Sequence, residues 1–211
     1  MMKVLLINGS PHQHGCTFEG LKEVSDALQR EGIQTDFYWI GNKPIGGCIG
    51  CYKCTELKRC IFNDQVNDFV MKAADYDGFI FGSAVHYAGI SGNMKCFMDR
   101  VFFSAYTRPD HPMMFKPAAA VISARRSGTT PALDQLYKFF LHDQMPVISS
   151  RYWNMVHGQT PEDVRKDAEG MQTMRALGKN MAWFLKLKEA GEKAGVTPPV
   201  QEARTPTNFI R

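Results

Sequence analysis

Cysteine is the residue type with the most distinctive placement in this 211-residue chain. Four of the six cysteines, Cys48, Cys51, Cys54 and Cys60, fall within 13 positions. Thiols gathered so closely need a chemical reason. A disulfide framework is the poorer one: 44% of residues are hydrophobic, enough for a core without covalent staples, and the N-terminal apolar run is too short for a secretory signal. The spacing C-x2-C-x2-C-x5-C, with Gly50 inside it, lets three sulfurs curl around one small cluster while a fourth closes it. A 4Fe-4S cluster is the sharpest reading. Free or redox-active thiols are a second reading. Zinc is a third, although it usually draws its thiolates as two C-x2-C pairs on separate knuckles. Cys16 and Cys96 read as ordinary small buried or loop residues.

Three further segments carry polar chemistry. Gly9-Ser10-Pro11-His12-Gln13-His14-Gly15-Cys16-Thr17 is a turn ahead of an amphipathic stretch, and a helix N-terminus with free amides favours an anion such as phosphate. The competing reading has Ser10 and Thr17 simply capping that helix. Gly-x-Gly-x-x-Gly and Walker-A patterns are absent here, which argues against a dinucleotide held in the Rossmann manner and against an ATP-hydrolysing loop. The second segment, Ala84-Val85-His86-Tyr87-Ala88-Gly89, offers an aromatic face for a flat, partly polar ring; a merely polar strand end is the alternative. The third holds Ser123, Arg125 and Arg126. The arginines are candidates for a phosphate, against a solvated basic pair.

Positioning these segments requires strands and helices in alternation. Lys3 to Asn8 is predicted as a buried strand, followed by a helix carrying Phe18, Leu21, Val24 and Leu28 that Gly32 stops. Thr35 to Ile40 is the second strand, Val66 to Ala74 a helix, and Asp77 to Ser83 the third strand. A helix begins near Ser91. Ala118 to Ser123 is the fourth strand, Leu133 to Leu141 a helix, Val147 to Met155 the fifth strand, and Pro161 opens one helix to about Lys188. The expectation is an α/β doubly wound parallel sheet of five strands, with a cysteine-rich insert at 41–64 after strand 2. Residues 1–190 form the binding domain and 191–211, with Pro198, Pro199 and Pro206, a surface tail. Ligands of such sheets sit outside the carboxyl ends of the strands, where the three polar segments meet.

Charged residues make up 22% with a formal net charge of +4, too mild an excess to argue nucleic-acid binding. No apolar run approaches the ~18 residues of a membrane span. A soluble, cytoplasmic protein is expected.

From Lys3 to about Leu187 the residues resemble the NADPH-dependent FMN reductase family, which has a flavodoxin-like fold, and within it the iron-sulfur flavoproteins. The flavodoxin-like fold implies the strand order 2-1-3-4-5. Ser10, Gly15 and Thr17 match the family's phosphate loop, with His12 where Arg is frequent and Cys16 where Asn or Ser is frequent. Ser83 to Lys95 resembles the flavin-ring loop and the following helix, with Ala84 for a usual Pro and His86 for a usual Tyr. The cysteine spacing is similar to the compact cluster motif of the iron-sulfur flavoproteins. The resemblance implies non-covalent FMN, with its phosphate on Ser10, His12, Gly15, Cys16 and Thr17 and its ring against Ala84, Val85, His86, Tyr87 and Gly89. Ser123 and Arg125 lie nearby. NAD(P)H is the implied electron donor, a 4Fe-4S cluster on Cys48, Cys51, Cys54 and Cys60 the implied second centre, and a small molecule or protein the acceptor. A homodimer or homotetramer is expected, the aromatic and Met-rich stretch Met94 to Tyr106 offering a contact face. The residues themselves leave two other readings open: a non-enzymatic electron carrier, and a zinc-stabilised binding module.

Overall fold

The computed structural model describes residues 1–203, 205 and 207. Its elements in chain order are β1 (Lys3–Asn8), α1 (Cys16–Arg30), β2 (Gln34–Trp39), α2 (Cys54–Leu57), α3 (Gln65–Lys72), β3 (Gly78–His86), β4 (Gly89–Ile90), α4 (Gly92–Tyr106), β5 (Ala118–Ala124), α5 (Thr129–His142), β6 (Met155–His157), α6 (Pro161–Lys166) and α7 (Ala168–Lys193). The main sheet runs β2-β1-β3-β5-β6 with all pairs parallel, and the short β4 folds back antiparallel on β3. Counting only the parallel strands, this is the expected 2-1-3-4-5 order.

Strand residues pointing to opposite faces divide the core in two. Leu5, Ile7, Phe79 and Phe81 pack with Phe69 of α3, Phe97 and Val101 of α4, and Leu136 and Phe140 of α5. Val4, Leu6, Ile80 and Val121 pack with Leu21, Val24 and Leu28 of α1 and Met174, Leu177 and Met181 of α7. A sheet covered on both faces needs the near-continuous apolar strands that the sequence shows.

Two expected elements differ. The fifth strand is not continuous from Val147 to Met155: Val147 makes an isolated bridge to Ala118, and the chain rejoins the sheet only at Met155. Between them the Ser150 hydroxyl donates to Tyr152 O at 2.7 Å and accepts from Tyr152 N at 3.3 Å. This local turn competes with the ladder. The single C-terminal helix is likewise two helices. Asp167 breaks it because its carboxylate accepts from Gly170 N at 2.9 Å, capping α7, and from His157 N at 2.7 Å, tying the break to β6.

α7 continues to Lys193, and Gln201 beyond it accepts from Gln144 Nε2 at 2.9 Å. Pro206 lies outside the described residues. Among those described, no helix is long and apolar enough to cross a membrane. Met94, Phe97, Met98, Val101 and Phe102 are buried in the chain's own core, so the expected contact face on that helix narrows to residues such as the partly exposed Phe103.

Candidate functional site

The β1–α1 loop is built around buried polar contacts. Asn8 Oδ1 accepts from Ser10 N at 3.0 Å, while Asn8 Nδ2 donates to Gln13 O at 2.9 Å. Trp39 Nε1 donates to Ser10 O at 2.9 Å, and the Ser91 hydroxyl donates to Gly9 O at 2.8 Å. Gly9 is required by close approach, since a Cβ there would stand 2.9 Å from Gly82 O. The helix then begins at Cys16 with Gly15 as its N-cap and no side-chain cap, so neither Ser10 nor Thr17 caps it. Its first-turn amides therefore remain unpaired within the helix, as at any α-helix start. Ser10 Oγ accepts from His12 N at 3.2 Å, which leaves its hydroxyl hydrogen for an incoming acceptor. Thr17 is placed differently. It is wholly buried, and its hydroxyl shares a 2.7 Å hydrogen bond with Ser123 Oγ, bracing this loop against the end of β5. Cys16 sits at the rim with Sγ 3.6 Å from Gly158 O, and burial pushes its thiol pKa up. His12 is exposed.

The second segment forms a hairpin instead of an open loop. His86 pairs with Gly89, and both intervening residues have positive φ, 48° at Tyr87 and 59° at Ala88. This is the backbone of a tight I′-type turn, which Asn-Gly usually supplies. For Tyr and Ala the left-handed conformation costs about 1–2 kcal/mol each, strain of the kind concentrated at functional sites. Tyr87 projects fully into solvent and His86 is exposed, while Ala84 and Val85 are half-buried and Gly89 is buried. Gly128, with φ 92°, lies against this hairpin: a Cβ there would meet Ala88 Cα at 2.8 Å. Ser123 is buried, and Arg125 and Arg126 are exposed beside it. The three polar segments thus converge on one rim. A helix N-terminus, a Ser10 hydroxyl with its hydrogen free to donate and an exposed aromatic hairpin suit a phosphorylated ring ligand.

The four cysteines line one small open pocket, walled by Ile49, Tyr52, Phe62 and Phe103. Cys48 and Cys51 are exposed, Cys54 is buried and Cys60 is half-buried. The two inner cysteines are anchored from α3 and α4. Thr107 Oγ1 donates to Cys54 O at 2.9 Å, and Asn67 both accepts from Cys60 N and donates to Cys60 O at 2.9 Å. Arg100, only 2% exposed, donates from Nε to Cys60 Sγ at 3.3 Å. Burial pushes the Cys54 thiol pKa up. Among the described residues, no three His, Cys, Asp or Glu side chains converge on a point that would hold a single metal ion. By the chemistry of the donor set, four thiols around an apolar pocket with a cationic donor at one sulfur are of the kind that holds an iron-sulfur cluster.

The insert does not stay on the rim. It leaves there, where Asn93 holds Ile45 N and Lys43 O at 3.2 and 3.0 Å, and then descends along α4 to Arg100 and Thr107. At 1.5 Å per residue, the pocket lies about 10–20 Å down the helix from the flavin-type loops. The reason is anchorage: the insert is held by Arg100 in the middle of α4, by Thr107 just past its end and by Asn67 of α3.

Residues 2–160 match the model of the family described as NADPH-dependent FMN reductase. The chain belongs to this family. Among relatives, an iron-sulfur flavoprotein of Methanocaldococcus jannaschii is 35% identical over 193 residues, covering 88% of this chain and 98% of the relative. An iron-sulfur flavoprotein of Archaeoglobus fulgidus is 28% identical over 195 residues, covering 87% and 97%. The chain therefore groups with the iron-sulfur flavoproteins of the FMN reductase family. In fold it is similar to the flavodoxin, WrbA-like protein from Agrobacterium tumefaciens, with a TM-score of 0.62 at 14% identity over 89% of this chain and 99% of that one. The fold is flavodoxin-like, and the chain is an FMN flavoprotein of redox function.

Sequence reasoning missed Arg100, Asn67 and Thr107. One signal was available. At helical spacing Arg100 shares its face with Cys96, Phe97, Phe103 and Ser104, none of them an opposite charge, and a charge on such a face needs a buried partner from elsewhere.

Proposed function

We propose that this protein is an NAD(P)H-dependent oxidoreductase in which FMN at the rim exchanges electrons with a 4Fe-4S cluster on Cys48, Cys51, Cys54 and Cys60, serving a small-molecule or protein acceptor. The observation that carries the reading is the shared pocket of the four cysteines along α4, the helix whose N-cap, Ser91, also holds the phosphate-type loop. When bound, FMN accepts hydride at N5 and the cluster takes single electrons, so the chain's part is orientation and tuning. The α1 amides and Ser10 hold the phosphate, and the Tyr87 hairpin shapes the ring site. Cys54 and Cys60, fixed by Thr107, Asn67 and Arg100, form the rigid half of the ligand set, and the exposed Cys48 and Cys51 close around the metal. The protein works in the cytoplasm as a homodimer or homotetramer, without nucleic acid or membrane.

Anaerobic purification tests this directly. About four irons and four sulfides per chain, FMN, and steady-state oxidation of NADPH or NADH are expected. Iron at trace levels after reconstitution removes the cluster from the reading, and stoichiometric zinc favours a binding module. Reduction by a partner protein without NAD(P)H turnover makes the protein a carrier.

A further inference from the structure

Arg100 is among the largest fully buried side chains, and its contacts have a direction. The Nη1 and Nη2 edge meets Asp64 in a two-pronged ion pair at 2.7 and 2.8 Å, and Nη1 also donates to Gly46 O at 3.2 Å. Phe62 covers the guanidinium, its ring centroid 4.8 Å from Cζ. The remaining edge, Nε, faces Cys60 Sγ at 3.3 Å. A planar fork is required, because a lysine ammonium has no geometry that serves a carboxylate, a carbonyl and a sulfur at once. Asp64 gives the fork its backing and is itself fixed as the N-cap of α3, accepting from Val66 N at 3.2 Å. The positive end of this ion pair therefore touches the sulfur, while the negative end stands behind it.

We propose that Arg100 is a positioning residue that fixes the Cys60 sulfur and raises the reduction potential of the cluster, and that Asp64 sets how far. This rests on the cluster reading above. A hydrogen bond and a positive charge at a ligating sulfur stabilise the form carrying the extra electron, and partial neutralisation of that charge by Asp64 limits the effect. The two residues consequently act with opposite signs, which a purely structural pair does not.

The test uses the full chain, loaded with FMN and reconstituted anaerobically with iron and sulfide. The cluster is titrated with dithionite and followed by electron paramagnetic resonance. Arg100→Gln should lower the cluster midpoint by at least a tenfold change in the one-electron equilibrium, about 59 mV. Asp64→Asn, which keeps an N-cap, should raise it. The FMN midpoint should stay in place in both. If the wild-type protein forms no cluster, the cluster reading itself fails and takes this inference with it. If the wild type loads and both variants titrate like it, or shift in the same direction, only the role of Arg100 is overturned. Should Arg100→Gln fail to load, Asp64→Asn decides alone: a rise supports the proposal and no rise overturns it. Failure of both variants to load marks the pair as structural and overturns it.

Discussion

Replacing Thr17 by Val removes one hydroxyl and almost no volume, so it isolates the 2.7 Å bond to Ser123. Both residues are buried, at 0% and 3% exposure, and water cannot take the place of the lost partner. The stranded Ser123 hydroxyl then costs about 1–3 kcal/mol of stability. Ser123→Ala should cost a similar amount by stranding Thr17. The double variant removes both polar groups, so its loss should fall well below the sum of the two singles. Urea unfolding of the three variants without FMN, compared by midpoint at constant slope, measures this. FMN affinity gives the second readout. Because the Thr17 hydroxyl is shielded and already paired, Thr17→Val should change the FMN dissociation constant by about threefold or less. Ser10→Ala, which removes a hydroxyl with a free hydrogen, should weaken it by about 1.5–3 kcal/mol, the worth of a hydrogen bond to a charged group. A loss in the double variant equal to the sum of the singles would refute the pairing, and a tenfold loss of FMN affinity in Thr17→Val without loss of stability would show that the Thr17 hydroxyl binds phosphate itself.

Gly128→Ala adds a Cβ at positive φ and 2.8 Å from Ala88 Cα. It should cost about 1–3 kcal/mol and push the Tyr87 hairpin outward, seen as a lower melting temperature together with weaker FMN binding; normal values for both would refute the close packing of these loops. Asp143, 3% exposed at the end of α5, has its carboxyl pushed by burial to about 7. A raised acid pKa means that the folded state holds the proton more tightly, so stability from this group is full below the unfolded value near 4 and declines as pH rises to about 7. Asp143→Asn should therefore stabilise the protein more at pH 8 than at pH 5, the gap widening by a few kcal/mol on this scale. Equal gains in urea midpoint at both pH values would contradict the burial argument.

Much of the scaffold is written locally. Strands buried on both faces must be apolar at successive positions, as Val4 to Ile7 and Phe79 to Phe81 are, and intervening amphipathic helices leave few other ways to cover such a sheet. The cysteine spacing and the Gly-Ser-Pro loop are short-range chemistry, readable without knowing what lies opposite. Interruptions were less legible. The loss of strand between Val147 and Met155 and the break at Asp167 come from side chains choosing backbone partners, Tyr152 in one case and Gly170 with His157 in the other. Apolar periodicity carries no record of such choices.

Residue patterns within about ten positions carry the strand–helix alternation, the three rim loops and the ligand types in the insert, whereas the order of the strands was readable only through the family resemblance. Only the tertiary structure decided that Thr17 faces Ser123, 106 positions away, and that Cys60 meets Arg100, 40 positions away. Those pairings depend on how parallel strands and the helix between them register in space. A hydroxyl or a guanidinium can satisfy itself with any nearby acceptor, so its residue type names the need and packing alone selects the partner.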